Sequence, residues 1–163
     1  VILVSACLLG RKTKYNGRSN PHGLLMLYEA CGRFLPVCPE ALGGLVAPHP
    51  PAEINGGTGS EVLAGTARVK NREGEDVTAA FVKGSEQMKA LIGEQKITAA
   101  ILKENSPSCG VKNIYDGSFS GKKIKGQGVT AAALAAAGVA LYCEHDLSPD
   151  LIERLINEDS LES

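Results

Sequence analysis

Three of the five cysteines, Cys7, Cys38 and Cys109, each follow a short apolar run. The runs are residues 1–5 (VILVS), 34–37 (FLPV) and 99–102 (AAIL), the last separated from its cysteine by KENSPS. Each reads as a buried strand, and in an open parallel sheet ligands bind beyond the carboxyl ends of the strands. Sulfurs delivered there by three strands would meet in one pocket although they lie far apart in sequence. Three converging thiolates suit a metal or an iron–sulfur group, and three rather than four leave one coordination position open. Two polar segments add acid–base groups. VCPE sets Glu40 two residues past Cys38, and ENSPSCG sets Glu104, Ser106 and Ser108 within five residues of Cys109. Pro39 and Pro107 stiffen both loops, and Gly110 lets the backbone approach whatever Cys109 holds.

Each feature has a plainer reading. A free cysteine often serves as a small buried hydrophobe. Cys31, at the expected end of a helix, reads that way. Cys143 also ends an apolar run, so the pattern does not separate it from the other three. Glu40 reads equally as a solvated loop acid or an ion-pair partner, and Ser106, before a proline, as a turn former. His22, His49 and His145 show no ligand spacing and read as surface or loop residues. Without CxxC pairs, zinc is weakly supported.

A second candidate site is Gly126-Gln127-Gly128, just before an Ala-rich helix. A helix amino end offers free N–H groups and a positive dipole, which suits a phosphate. Lys122, Lys123 and Lys125 lie upstream and would add charge. Lys125, Gly126 and Gly128 are therefore candidate substrate contacts; a tight turn beside solvating lysines is the alternative.

The elements that must position these groups follow from periodicity and punctuation. The first strand leads into a polar loop over residues 7–20, and a helix over residues 22–30 stops at Gly32. After the second strand, residues 41–57 read as a long loop broken by Pro48, Pro50 and Pro51. Residues 62–69 alternate and run into the turn NREGED, which predicts a small antiparallel hairpin or edge strand. A helix from Asp76 or Thr78 to about Glu94 carries Val77, Ala80, Phe81, Gly84, Met88, Leu91 and Ile92 on one face. The third strand covers residues 98–102, and a polar loop with a small turn spans IYDGSFSGKKIKGQG. A helix over 129–137 ends at Gly138, and residues 139–143 form a fourth strand. Ser148-Pro149-Asp150 starts a last helix, expected to reach about Asn157. Strands alternating with helices predict an α/β fold. We expect a single three-layer domain over residues 1–163 with a mostly parallel, Rossmann-like sheet.

Composition limits the function classes. The net charge of -1 argues against a general nucleic-acid binder. Four Tyr, three Phe and no Trp leave little for a base-stacking platform along single strands. An odd number of irregularly spaced cysteines is a poor disulfide framework, which fits reduced thiols and a cytoplasmic location. Only six residues precede Cys7 and none is basic, so no lipoprotein-type leader is expected. No apolar stretch approaches the ~20 residues of a membrane helix.

Taken together, VSACLLG, YNG, VCPEALGGL, PPAEI, LKENSPSCG, IYDGSFSG and GQGVTAAAL resemble the thiouracil desulfidase (TudS) family, in the family's order from Val1 to about Glu144. The resemblance implies a 4Fe–4S cluster held by Cys7, Cys38 and Cys109, with one iron free of protein ligands. It also implies that Glu40 is the catalytic acid of the CPE motif and Ser106 the catalytic serine of SPSCG. The implied reaction is a non-redox hydrolysis of the C=S group of thiouracil or a 4-thiouridine nucleotide. The chain departs from the family at Lys14 and Asn16, where an Arg and an Asp are usual, and at His49, where an Arg follows the proline. A non-enzymatic iron–sulfur or thiol sensor is the competing reading. A cysteine-nucleophile hydrolase lacks a well-placed histidine. Oligomeric state is left open.

Overall fold

The computed structural model describes residues 1–162. In chain order the strands are β1 (Ile2–Ser5), β2 (Phe34–Val37), β3 (Ala52–Asn55), β4 (Arg68–Asn71), β5 (Ala99–Leu102), β6 (Asn113–Tyr115), β7 (Lys123–Lys125) and β8 (Ala140–Cys143). The helices are α1 (Gly23–Tyr28), α2 (Pro39–Leu42), α3 (Gly59–Ala64), α4 (Thr78–Glu94), α5 (Val129–Ala136) and α6 (Pro149–Glu162).

Strands β2-β1-β5-β8 form a parallel sheet in that order. Successive side chains of a strand point to opposite faces, and the core divides accordingly. Ile2, Val4, Ala99 and Ile101 pack with Leu25 of α1 and with Ile152 and Leu155 of α6. Leu3, Ala100 and Leu102 pack the other way, with Met88 of α4 and with Ala131 and Leu134 of α5. Helices thus cover both faces, giving the expected three layers. β1 and β5 are buried along their whole length, as strands covered on both faces must be.

Two antiparallel pairs, β3–β4 and β6–β7, are added to this frame. The hairpin expected near residues 62–69 is real in β4, but its partner is β3, inside the segment read as an irregular loop. Residues 62–64 belong to α3, which opens on a Thr58–Glu61 capping box. The turn-rich segment after Cys109 likewise contains β6 and β7. Ile54, Val62, Val69, Phe81, Ile114 and Val129 gather these additions into a third apolar cluster.

Helix α4 has the expected bounds, and the Asp76 carboxylate accepts the Thr78 N–H at 2.9 Å. Ser148 caps α6 by accepting the Leu151 N–H, but the helix runs on to Glu162. Its last turns are docked: buried Asp159 accepts hydrogen bonds from Arg33 at 3.0 Å and Thr98 at 2.6 Å. Cys31 is exposed rather than buried, because the chain there tightens into a 3-10 turn that stops at Gly32. Among the described residues no helix is long and apolar enough to cross a membrane.

Candidate active site

Beyond the carboxyl ends of β1, β2 and β5 lies a cleft of about 460 Å³ lined by Cys7, Cys38 and Cys109 together. Cys7 sits in the 3-10 turn after β1, and Cys38 occupies the cap position of α2 just past β2. Cys109 follows β5 through the SPSCG loop and is 5% exposed. Cys143 is buried behind the sheet end and does not line the cleft. The cysteine left open by sequence is thereby set apart from the other three.

Burial raises the pKa of all three cleft thiols. For Cys7 it outweighs a hydrogen bond from Asn20 and the charge of Lys103. For Cys38 it outweighs backbone N–H groups of Ala41 and Glu40 at the start of α2. Cys109 is pushed up to about 12 by burial, against hydrogen bonds from Ser5 and Ser108. Free thiolates are disfavoured there, whereas a bound cationic group would deprotonate the ligating thiols. Among the described residues no three His, Cys, Asp or Glu side chains converge at the range of a single metal ion. Three sulfurs on one cleft form a donor set for a larger sulfur-seeking group. The residues present fit such a group.

The loop that presents Cys109 is anchored twice. Below it, the Glu104 carboxylate accepts N–H groups from Val111 at 2.7 Å, Lys112 at 3.0 Å, and Asn113 and Asn105 at 3.3 Å. Burial would raise the Glu104 pKa, but those N–H groups outweigh it and lower it. Glu104 is an ionised strut. Behind the loop, the amino end of α5 donates Val129 N–H to Pro107 O at 2.8 Å, and Thr130 and Ala131 N–H to Ser108 O at 2.9 and 3.1 Å. Gly128 N–H goes to Gly110 O at 2.9 Å.

The three candidate phosphate contacts, Lys125, Gly126 and Gly128, lie apart from this cleft. The N–H groups of Gly128 and of the first three residues of α5 are spent on the cysteine loop, Gly126 N–H goes to Lys112 O, Lys125 is exposed on β7, and none of the three candidates lines the cleft. Gly128 is needed because a Cβ would stand 2.5 Å from the Ser108 carbonyl carbon. Gly110, too, makes room for its own chain: a Cβ there would meet Asn113 O at 2.6 Å. A comparable crossing sets Cys38 and Glu40, since a Cβ on Gly84 of α4 would lie 2.1 Å from Pro39 O.

Glu40 and Ser106 meet in the cleft through a residue that sequence left secondary. Ser108 Oγ donates to Glu40 Oε2 at 2.9 Å and lies 2.9 Å from Ser106 Oγ. Ser106 Oγ also accepts the N–H groups of Ser108 and Cys109, each at 3.1 Å, so it does form the turn. Burial raises the Glu40 pKa, against the Ser108 hydrogen bond and the charge of His49. His49 was read as a loop residue; it is one, yet its Nε2 approaches Glu40 Oε1 at 3.4 Å. Nothing in the local pattern marks it, because the loop is tied back by His49 N–H to Tyr15 O at 2.6 Å, a contact between distant segments.

The outer wall holds Lys14, Tyr15, Arg72, Tyr115 and Phe119. Phe119 and Asn105, the two non-glycine residues with positive φ among those described, both line the cleft. Glu53 fixes Phe119 by accepting its N–H at 3.2 Å and that of Gly117 at 3.0 Å. The Arg72 guanidinium lies over the Phe119 ring at 5.7 Å.

Fold and cleft define a parallel-sheet α/β protein whose strand ends present three cysteines, a carboxylate and two hydrogen-bonded serines to one cleft. A sequence model described as 2-thiouracil desulfurase matches residues 2–146. The chain belongs to that family. It is 47% identical over 148 residues to the Bacillus subtilis (strain 168) protein YbbK, described as uncharacterized, covering 91% of this chain and 98% of that one. Among solved structures it is similar to a [4Fe-4S]-dependent thiouracil desulfidase, TudS, at 40% identity and a TM-score of 0.78. That match covers 98% of this chain and 97% of the other.

Proposed function

We propose that this protein is a desulfidase that replaces the sulfur of a thiolated pyrimidine with oxygen from water, without net redox change. The single observation that carries the reading is that Cys7, Cys38, Cys109, Glu40 and Ser106 line one cleft. Cys7, Cys38 and Cys109 would hold a 4Fe–4S cluster with one iron free of protein ligands. When bound, the cluster supplies a sulfur-seeking Lewis acid that polarises the C=S bond. Glu40 takes a proton from the attacking water as its oxygen bonds to the ring carbon. Ser106 donates a proton to a ring nitrogen as charge builds there and recovers it as the C–S bond breaks and C=O forms, and the sulfur leaves as hydrosulfide with the proton of the added hydroxyl.

Free thiouracil and a 4-thiouridine nucleotide are the two substrate classes in view. The outer wall favours the larger one. Arg72 and Lys14 border the cleft, and among the described residues neither pairs with a carboxylate, so a phosphate could meet both.

The test is anaerobic reconstitution with iron and sulfide, followed by the loss of 4-thiouracil or 4-thio-UMP absorbance. Glu40→Gln should keep the cluster and lose turnover. A variant that binds thiouracil and turns it over as fast as the parent removes the hydrolytic role of Glu40. A wild-type protein that forms the cluster without turnover points instead to a sensor.

A further inference from the structure

We infer that Phe119 is a specificity-determining residue on which the flat ring of the substrate stacks, and that Glu53 is its positioning residue. The identity of that ring rests on the thiolated-pyrimidine reading above. The chain has four Tyr, three Phe and no Trp. Tyr28, Phe34, Phe81 and Tyr142 pack in the apolar clusters, whereas Tyr15, Tyr115 and Phe119 line the cleft. Phe119 belongs to none of those clusters, so core packing does not account for it.

The backbone singles Phe119 out from the other two. At a φ of 55° it stands in the left-handed region, where a bulky side chain is an outlier. Asn105, which shares that region, is of a type that tolerates it. Strain of this kind persists only where the surroundings over-determine it, and it gathers at ligand clamps. The turn between β6 and β7 is held from two sides. From within, Asp116 N–H goes to Lys122 O at 3.0 Å, and the Asp116 carboxylate accepts Ser118 N–H at 2.9 Å. From β3, Glu53 Oε1 accepts the N–H groups of both Gly117 and Phe119. Glu53 is 9% exposed, and Gly117 lies so close to β3 that a Cβ would stand 2.6 Å from Ile54 O. A buried carboxylate thus keeps one aromatic residue at the cleft wall in a conformation that its side chain disfavours. The Arg72 guanidinium lies over one face of the ring, which leaves the other face and the edge to a flat ligand. Stacking recognises the flatness of a base rather than its substituents, so the contact serves free base and nucleotide alike.

The test compares uracil with dihydrouracil, which carries the same polar groups on a puckered ring, as ligands of the reconstituted protein in calorimetry. The parent should bind uracil about tenfold more tightly, and Phe119→Leu should shrink that preference to within about twofold. A parent without the preference, or a Phe119→Leu protein that keeps it, would overturn the stacking contact. If Leu disturbs the fold, Phe119→Gly, which suits the positive φ, must lose the preference instead. Glu53→Ala should behave like Phe119→Leu, while Glu53→Gln, whose amide oxygen still accepts both N–H groups, should keep the preference. Glu53→Ala combined with Phe119→Leu should bind uracil no more weakly than Phe119→Leu alone; additive losses would reduce Glu53 to a structural residue. In turnover, Phe119→Leu should raise KM about tenfold, with kcat within about twofold and iron per chain unchanged. A parent that prefers uracil but turns nothing over removes the desulfidase reading and leaves the stacking contact standing. Turnover by a parent that binds both ligands equally does the reverse.

Discussion

Replacing Gly128 by Ala separates two uses of the same loop. The new methyl would stand 2.5 Å from the Ser108 carbonyl carbon and 2.7 Å from both Pro107 O and Ser108 O. The backbone dihedrals of Gly128 suit any residue, so the cost is one of space, not conformation. Ordinary contact starts at 3.4 Å, so the SPSCG loop must retreat by about 1 Å. Overpacking of that kind costs about 1–3 kcal/mol. The retreat also stretches the three hydrogen bonds from α5 to Pro107 O and Ser108 O, each worth about 1 kcal/mol net. Together we expect a loss of about 2–4 kcal/mol, or a Tm lower by about 5–15 °C for a chain of this size. Cys109 moves with the loop, so iron retained per chain after reconstitution should fall in parallel. Thermal unfolding and iron content are the assays. An unchanged Tm and iron content, with KM raised only for a phosphorylated substrate, would refute the buttress and restore the phosphate reading.

Gly84→Ala should act likewise on the other side of the cleft, pushing α2 off α4 by its clash with Pro39 O and lowering both Tm and iron content. Serine replacement of Cys7, Cys38 or Cys109 should each abolish a stable cluster, measured by visible absorbance; Cys31→Ser and Cys143→Ser should leave its absorbance intact. Glu104→Gln removes an ionised acceptor from four backbone N–H groups and should cost about 2–3 kcal/mol in chemical denaturation. Because the Glu104 pKa is depressed when folded, its contribution is full above the unfolded value of about 4.3 and is lost as pH falls through the folded value. Melts of the parent should therefore steepen downward below about pH 5, and those of Glu104→Gln should do so less.

The parallel frame was legible because its signals are local: short apolar runs bounded by Gly, Pro and polar loops, with β2 found at its predicted bounds. The cleft cysteines followed from the same runs. β3 was hidden because four residues after two prolines acquire strand character only by pairing with β4, across the whole of α3. β6 and β7 are three residues each, too short for alternation to show. The Thr58–Glu61 capping box was a readable sign of α3 that the moderate alternation of residues 62–69 obscured. Gly126 to Gly128 had the composition of an anion loop; what no local pattern could reveal is that Pro107 and Ser108 carbonyls already occupy its donors. His49 stood out in the sequence as a departure from the family; its approach to Glu40 depends on the tertiary hydrogen bond that ties its loop to Tyr15.

The place of β1 in the middle of the sheet also sets a timetable. A chain leaving the ribosome makes β1 first, and Ile2 can pair with Phe34 early but must wait for Ala99 on its other side. At translation rates of about 5–20 residues per second, that edge stays open for roughly 5–20 s. During that interval the backbone N–H and C=O groups along one edge of the largely apolar ILVS strand are unpaired and open to neighbouring nascent chains. Cys109 emerges later still, so a nascent chain that has only Cys7 and Cys38 in place has no finished socket. A group held by all three sulfurs would therefore find its third anchor only once β5 and the SPSCG loop have formed.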